Sequence, residues 1–198
     1  NISLNTTIVI SSSSKGDLFH KAKINFNIVN GKMIFLQGSP ELTKTGGILT
    51  GRLSGIVAHH IPAYLKRNRL PCHETNCIED WEAKVDAIVK ETITENMSLI
   101  SGIPPWVQMY FEKLQEKTGR SIKDIFPKFD LFIYGGVNFE PYRQNFEKLI
   151  GRRIAGIEVY PASEGFIAYQ DSQKEKGMLL CVNHGIFCLL YTSDAADD

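Results

Sequence analysis

The chain has 198 residues, of which 43% are hydrophobic and 22% are charged, a composition typical of a globular domain that buries a sizeable core. Its 22 Lys and Arg residues balance 22 Asp and Glu residues, so no net field draws it to nucleic acid or to an anionic membrane. This charge balance favours a small-molecule substrate. The apolar runs are far shorter than the roughly 20 residues that span a bilayer, so we expect no transmembrane segment.

The four cysteines, at positions 72, 77, 181 and 188, are too few and too irregularly spaced for a disulfide framework. Their number favours a reducing cytoplasm. The segment Cys72–Cys77 contains His73 but lacks the paired spacing of a structural zinc site, so we interpret it as an ordinary loop. The chain begins at Asn1 without Met or a leader pattern, and we expect an upstream part to be missing.

Short apolar runs near the N-terminus predict strands at Ile8–Ile10 and Met33–Leu36, separated by loops rich in Ser, Asn, Thr and Gly. The run Ser11–Lys15 faintly resembles a phosphate loop. It lacks the glycine spacing that lets backbone amides converge on a phosphate, so a polar turn is the better interpretation.

From residue 80 onward the spacing of apolar residues becomes regular and predicts helices that alternate with strands. The first helix follows the acidic pair Glu79-Asp80, which suits a helix N-terminus. The later elements, in chain order, are a strand at 98–101, a helix from Pro104 to about Lys117 ending near Gly119, a strand at 130–134, a helix at 140–150 ending at Gly151, and a strand at 154–160.

This alternation predicts an α/β fold, a parallel sheet of βαβ units with flanking helices. Ligands of such sheets bind beyond the carboxyl ends of the strands. Two loops occupy that position in the sequence, Gly135–Tyr142 and Tyr160–Gly165. We therefore predict the functional site at these two loops.

The two loops carry residue types suited to a nucleotide. Gly135-Gly136 leaves backbone that can approach a flat ring, because no side chain intervenes. At the second loop Tyr160 offers an aromatic ring, Ser163 a hydroxyl donor, and Glu164 a carboxylate able to hold Mg²⁺. The residue chemistry alone is equally compatible with a strand followed by a plain turn, with Glu164 solvated.

The segments 131–143 and 158–165 resemble the Gretchen Hagen auxin-responsive family of acyl-acid amido synthetases, particularly its bacterial branch, within the firefly-luciferase and acyl-adenylate superfamily. Upstream, the segments 31–39, 51–54 and 102–106 resemble it as well. The resemblance covers roughly residues 30 to 187 and is most specific at the two loops.

The resemblance implies that a carboxylate attacks the α-phosphate of ATP to give an acyl-adenylate and pyrophosphate, after which the amine of an amino acid takes the acyl group. Carried over by position, Tyr160 would stack on adenine, Gly135 and Gly136 would flank the base, Ala162 would lie in the same nucleotide site, and Ser163 would hydrogen-bond the α-phosphate.

For the remaining roles, the resemblance makes Glu164 the Mg²⁺ ligand and a catalytic residue together with Ser163. Pro105 and Trp106 correspond to positions that line the acyl pocket, although a tryptophan in this setting also suits a core. The expected ligands are thus ATP, Mg²⁺, a small carboxylic acid and an amino acid, with neither nucleic acid nor a membrane as partner. The resemblance does not fix which acid or which amine is used.

Residues 1–187 are expected to form part of the large N-terminal domain of an adenylate-forming enzyme. The family's phosphate loop normally lies upstream and its hinge and C-terminal domain downstream, so we expect this fragment by itself to be inactive. Residues 188–198 resemble the translation of a transposon-type sequencing adapter and are left out of the functional interpretation.

Two other functions remain as alternatives. A serine hydrolase would use Ser163, because Pro161–Gly165 nearly matches the Gly-x-Ser-x-Gly elbow, with His184 as the base. However, Pro161 replaces the first glycine, and Phe166–Gln170 alternates like a strand where the elbow requires a helix. A non-catalytic nucleotide-binding module is the second alternative.

Four polar side chains outside the two loops invite functional roles. His59 and His60 are adjacent and point in different directions, so we interpret them as structural or pocket-lining rather than as chelating residues. Arg52 and Arg143 have guanidinium groups that can bind a phosphate or a carboxylate through two hydrogen bonds, but surface ion pairing is the favoured interpretation of both.

Overall fold

The computed structural model describes residues 31–61, 63–162, 165–175 and 177–185. The predicted strand at Ile8–Ile10 and the segment Ser11–Lys15 lie outside these ranges. The strands are β1 (Lys32–Phe35), β2 (Thr43–Thr45), β3 (Ile48–Thr50), β4 (Arg69–Leu70), β5 (Met97–Ser101), β6 (Leu131–Tyr134), β7 (Ala155–Ala162), β8 (Gly165–Tyr169) and β9 (Leu179–Leu180). The helices are α1 (Leu53–His59), α2 (Ala63–Lys66), α3 (His73–Asn76), α4 (Trp81–Thr92), α5 (Pro104–Thr118), α6 (Ile122–Ile125) and α7 (Glu140–Ile150).

Seven of these strands form one sheet in the order β4-β1-β5-β6-β7-β8-β9, and β2 and β3 form a separate hairpin. The five strands from β4 to β7 in this order are parallel, whereas β8 and β9 are added antiparallel at one edge. The predicted α/β class with a mainly parallel sheet and flanking helices is therefore confirmed.

The unit β5-α5-β6-α7-β7 forms where the sequence predicted it, because its ends are marked by strong local signals. Helix α5 begins with two prolines, which lose no needed amide hydrogen there, and ends at Gly119 in the left-handed conformation with φ 66°. Helix α7 ends in the same way at Gly151, with φ 80°. Asp80 caps α4 by accepting a hydrogen bond from the Ala83 amide at 2.8 Å.

Helices α4, α5 and α7 cover one face of the sheet and bury an aromatic core. Phe132 of β6 stacks on Phe146 of α7 with ring centroids 5.2 Å apart, and Phe111 of α5 meets Phe146 edge to face. Tyr110 is fully buried, and its hydroxyl is hydrogen-bonded to that of Thr92 at 2.7 Å. Burial raises the pKa of Tyr110, so this phenol stays neutral. This core fixes β6 and the residues that follow it.

The opposite face carries a smaller cluster formed by Met33, Leu65, Leu99 and Leu131. Since side chains alternate along a strand, Met33 points to this face while its neighbour Ile34 points into the aromatic core. The central strands are thus apolar on both sides, as parallel strands usually are.

The structure differs from expectation at Cys72–Cys77, where residues 73–76 form the single helical turn α3 rather than a loop.

No helix within the described residues has the length and apolar character needed to cross a bilayer.

Candidate functional site

The carboxyl ends of β1, β5, β6 and β7 lie along one edge of the sheet, and the segments that follow them are tied to the neighbouring strands. The Leu36 amide donates to the Ser101 carbonyl at 2.8 Å, and the Gly102 amide donates to the Ile133 carbonyl at 3.1 Å. Each strand end therefore supports the loop of its neighbour. This edge is where ligands of open parallel sheets bind.

The two predicted loops meet at this edge. A Cβ atom added at Gly135 would lie 2.2 Å from the Val159 carbonyl oxygen, well inside any real contact distance. Gly136 has φ 82°, in the left-handed region that favours glycine, and a Cβ there would lie 3.2 Å from Ile103. Gly135 is thus required by the close approach of β7, and Gly136 by the turn.

Tyr160 is the residue that follows Val159, whose carbonyl contacts Gly135. Pairing of β6 with β7 ends at Tyr134 and Glu158, so Tyr160 belongs to the part of β7 that extends past β6. Its side chain is 50% exposed, which is high for a tyrosine beside a buried sheet. An exposed aromatic ring next to bare glycine backbone is suited to stacking on a planar base.

Of the other residues predicted for the second loop, Ala162 is half-buried at the end of β7, whereas Ser163 and Glu164 lie outside the described residues. Residues 165–169 form β8, which pairs antiparallel with β7. The helix that a nucleophile elbow needs after its serine is therefore replaced by a strand, as the alternation of Phe166–Gln170 indicated. His184 belongs to a turn, where its Nδ1 lies 3.1 Å from the Phe166 carbonyl oxygen.

Arg143 forms the ion pair that the sequence favoured. Its guanidinium binds the Glu140 carboxylate, with a shortest N–O distance of 2.6 Å, and lies over the Phe139 ring at 5.0 Å. The hydrogen bonds that Arg143 donates to the Glu140 carboxylate raise the pKa of Arg143. Burial, together with the charge of Glu158, raises the pKa of nearby Tyr134, which therefore remains a neutral phenol beneath the glycine turn.

On the β5 side of the edge, Pro105 and Trp106 form the first turn of α5. The Trp106 ring packs on Trp81 of α4, with centroids 4.4 Å apart, and contributes to the aromatic core. The Trp81 ring nitrogen donates in turn to the Met109 sulfur at 3.3 Å. Packing thus accounts for much of the Trp106 position, and its predicted place in an acyl pocket stays a prediction.

Arg52 and His59 lie around the segment that follows β1. An added Cβ at Gly38 would lie 2.5 Å from Arg52 Nη1, so the exposed guanidinium rests directly on Gly38. His59 Nε2 lies 3.1 Å from the Pro40 carbonyl oxygen, which makes His59 structural. Within the described ranges Arg52 forms no ion pair, in contrast to Arg143.

The side chains of the Cys72–Cys77 segment lie close to one another and to His59. Cys77 Sγ lies 3.5 Å from His73 Nε2, and His59 meets His73 edge to face. Partial burial raises the pKa of the Cys77 thiol, which disfavours the thiolate that binds metals. Across the part of the chain that the structure describes, no three His, Cys, Asp or Glu side chains are grouped to hold a metal ion.

One buried charged residue, Lys84, is not among the residues predicted from the sequence. Lys84 of α4 is only 2% exposed, and its ammonium donates to the carbonyls of Gln37 and Asn76 at 2.9 and 2.5 Å. The signal was present in the periodicity, because position 84 lies on the same helix face as Trp81, Val85 and Ile88. A lysine on a core-facing stripe indicates a buried charge with a specific partner.

Comparison with known proteins gives one family match. Residues 25–154 match the model of the GH3 family N-terminal domain. No curated protein matches the chain. Among solved structures the chain is similar to the crystal structure of apo MatB from Rhodopseudomonas palustris, with 13% sequence identity and a TM-score of 0.40 over 84% of this chain. The chain spans 31% of that protein's length. Because the family model matches well over half of the sequence, the chain belongs to the GH3 family, named for Gretchen Hagen 3 and made up of acyl-acid amido synthetases.

Proposed function

We propose that the intact protein activates a carboxylic acid with ATP and transfers the acyl group to the amine of an amino acid. Membership of the family of acyl-acid amido synthetases supports this class of ligase. The observation that carries the proposal is the close contact of Gly135 with the Val159 carbonyl, next in the chain to the exposed Tyr160, at the carboxyl edge of the sheet. This reaction uses ATP and small molecules, and a cytoplasmic location fits it.

In this proposal the adenine of ATP lies between the Tyr160 ring and the backbone of Gly135 and Gly136. The absence of side chains at the two glycines leaves room for a flat ring, and the half-exposed tyrosine supplies the stacking partner. Ala162 continues the same wall along β7. Ser163 follows at once in the chain, and we assign its hydroxyl to the α-phosphate.

The Mg²⁺ site is assigned to Glu164. The chemistry of the donor fits, because Mg²⁺ in phosphate-transfer sites is usually held by one or two carboxylates, with phosphate oxygens and water completing the shell. When bound, the ion would neutralise charge on the phosphates as pyrophosphate leaves. Glu164 follows the end of β7 in the sequence, as Ser163 does, so residues 160–164 would together contact the base, the phosphate and the metal ion.

The acid substrate is placed on the β1 and β5 side of the edge. Strand β1 lies two positions from β6, or roughly 10 Å at the usual strand spacing, which is a suitable span for an acyl-adenylate. The exposed Arg52 guanidinium has no ion pair among the described residues and offers a fork for the substrate carboxylate. Pro105 and Trp106 stand at the same side and would line the acyl group.

The chemistry needs no protein nucleophile. The substrate carboxylate oxygen forms a bond to the α-phosphorus of ATP while the bond from that phosphorus to the bridging oxygen breaks, releasing pyrophosphate. The amine then attacks the acyl carbon, an amide bond forms, AMP leaves with the bonding electrons, and the amine loses a proton. The residues at this edge act by holding the two reactants in line and by neutralising phosphate charge.

The proposal predicts ATP–pyrophosphate exchange that depends on a carboxylic acid. We expect radiolabelled pyrophosphate to enter ATP when the intact protein is given ATP, Mg²⁺ and a suitable member of a panel of carboxylic acids, and not when the acid is omitted. Acid-independent exchange would contradict the assignment. Labelling of Ser163 by a fluorophosphonate would favour the serine hydrolase instead.

A further inference from the structure

Lys84 carries a buried positive charge without a carboxylate partner among the described residues. Its side chain is 2% exposed, and the ammonium is held by the carbonyl oxygens of Gln37 and Asn76. Burial of an ammonium is costly, and desolvation lowers the pKa of Lys84. A hydrophobic residue would satisfy packing alone, so the carbonyl contacts are what the lysine contributes.

The two carbonyls belong to segments that leave neighbouring parallel strands. Gln37 follows β1, while Asn76 ends α3, which follows β4. The Asn76 side chain donates in addition to the Pro71 carbonyl at 3.2 Å, and the Cys72 amide donates to the Glu91 carboxylate at 2.7 Å. The segment after β4 therefore has several anchors of its own. In the segment after β1, Lys84 holds the Gln37 carbonyl immediately before Gly38, and His59 contacts the Pro40 carbonyl two residues after it.

The segment after β1 supports Arg52. Gly38 is the next residue after the anchored Gln37, and its Cα lies against the Arg52 guanidinium so closely that an added Cβ would be 2.5 Å from Nη1. The three atoms nearest to that Cβ all belong to Arg52. Movement of the Gln37 carbonyl would therefore shift the surface on which the guanidinium rests.

From these contacts we propose that Lys84 is a positioning residue for the acid substrate: by clamping the Gln37 carbonyl, it fixes Gly38 and, through Gly38, the direction of the Arg52 fork. This role rests on the proposed function, in which Arg52 meets the substrate carboxylate. Lys84 itself touches no substrate. The nucleotide side of the site is formed by β6 and β7, which β5 separates from β1 in the sheet.

Replacing Lys84 by methionine, which keeps the length of the side chain and removes its donors, tests the role in the acid-dependent exchange assay. We expect the KM for the acid to rise about tenfold or more, the effect of losing one charge-assisted hydrogen bond. The KM for ATP should change less than about twofold. Lys90→Met, an exposed lysine on the same helix, is the matched control and should leave both constants unchanged.

Gly38→Ala provides a second variant that leaves Lys84 in place. Its Cβ displaces only the flexible end of Arg52, so the protein should fold, and the same selective rise in the KM for the acid is expected. If Lys84→Met fails to fold, an unchanged KM for the acid in Gly38→Ala would still overturn the role, because it would show that the contact of Gly38 with Arg52 does not affect acid binding.

A KM for the acid that stays unchanged in the folded variants, or equal changes in both KM values, would overturn the role of Lys84 while leaving the proposed function intact. Absence of exchange in the wild-type protein with every acid would instead overturn the proposed function, and this role with it.

Discussion

Replacing Phe132 by alanine is expected to lower the free energy of unfolding by about 3–5 kcal/mol, the largest effect on stability that we expect from a single truncation. Phe132 is 2% exposed, stacks on Phe146 and makes ring contacts with Tyr134 and Phe139. Its removal leaves a cavity directly beneath the strand that leads to Gly135-Gly136. Urea denaturation measures the change.

Ile48→Ala is the control for this prediction. Ile48 lies on the β2–β3 hairpin with 70% of its surface exposed, and its truncation should change stability by no more than about 0.5 kcal/mol. A loss below about 1 kcal/mol for Phe132→Ala would mean that the aromatic cluster is not the main core.

Glu164→Gln is expected to reduce the rate of acid-dependent pyrophosphate exchange by about 10²–10³-fold, the range seen when one group that stabilises developing charge is removed. Glutamine has the shape of glutamate and no charge, so it removes a Mg²⁺ ligand with little change in volume. A rise in the Mg²⁺ concentration needed for half-maximal exchange should accompany the loss. Exchange assays across a Mg²⁺ titration measure both.

Glu116→Gln is the matched control, because Glu116 is an exposed carboxylate on α5. It should exchange at the wild-type rate. If Glu164→Gln also retained the wild-type rate and Mg²⁺ requirement, Glu164 would not be the metal ligand.

The sequence predicts the central part of the fold because local signals and tertiary structure agree there. Proline pairs and glycines mark the ends of α5 and α7, and the apolar period fixes the face of each helix. The Gly46-Gly47 turn of the β2–β3 hairpin carried a comparable signal in its glycine pair, with φ values of 58° and 85°, but the short flanking strands were not recognised.

The remaining elements depend on contacts that no local pattern encodes. Strand β4 has two residues, and it forms because it pairs with β1. The Lys84 ammonium is held by carbonyls 47 and 8 residues away in the chain. Sequence reasoning could flag the lysine on the apolar face of α4, but the partners follow only from the order of β4, β1 and β5 in the sheet.

In the candidate site, too, local sequence patterns predict one part and tertiary contacts determine the other. The two loops were predicted because each follows a buried strand in an alternating pattern. Their contact, made through Gly135 and the Val159 carbonyl, depends on β6 and β7 being neighbours. The geometry also changes the interpretation of Gly135, whose lack of a side chain is required by strand pairing before any ligand is considered.

The central claim is that the edge formed by Gly135-Gly136 and Tyr160 binds the adenine of ATP. Photolabelling of the intact protein with 8-azido-ATP, followed by mass spectrometry of the peptides, tests it most directly. We predict that the label falls on residues 134–137 or 158–162 and is lost when unlabelled ATP is in excess. A label confined to other parts of the chain, or one that excess ATP does not displace, would contradict the claim.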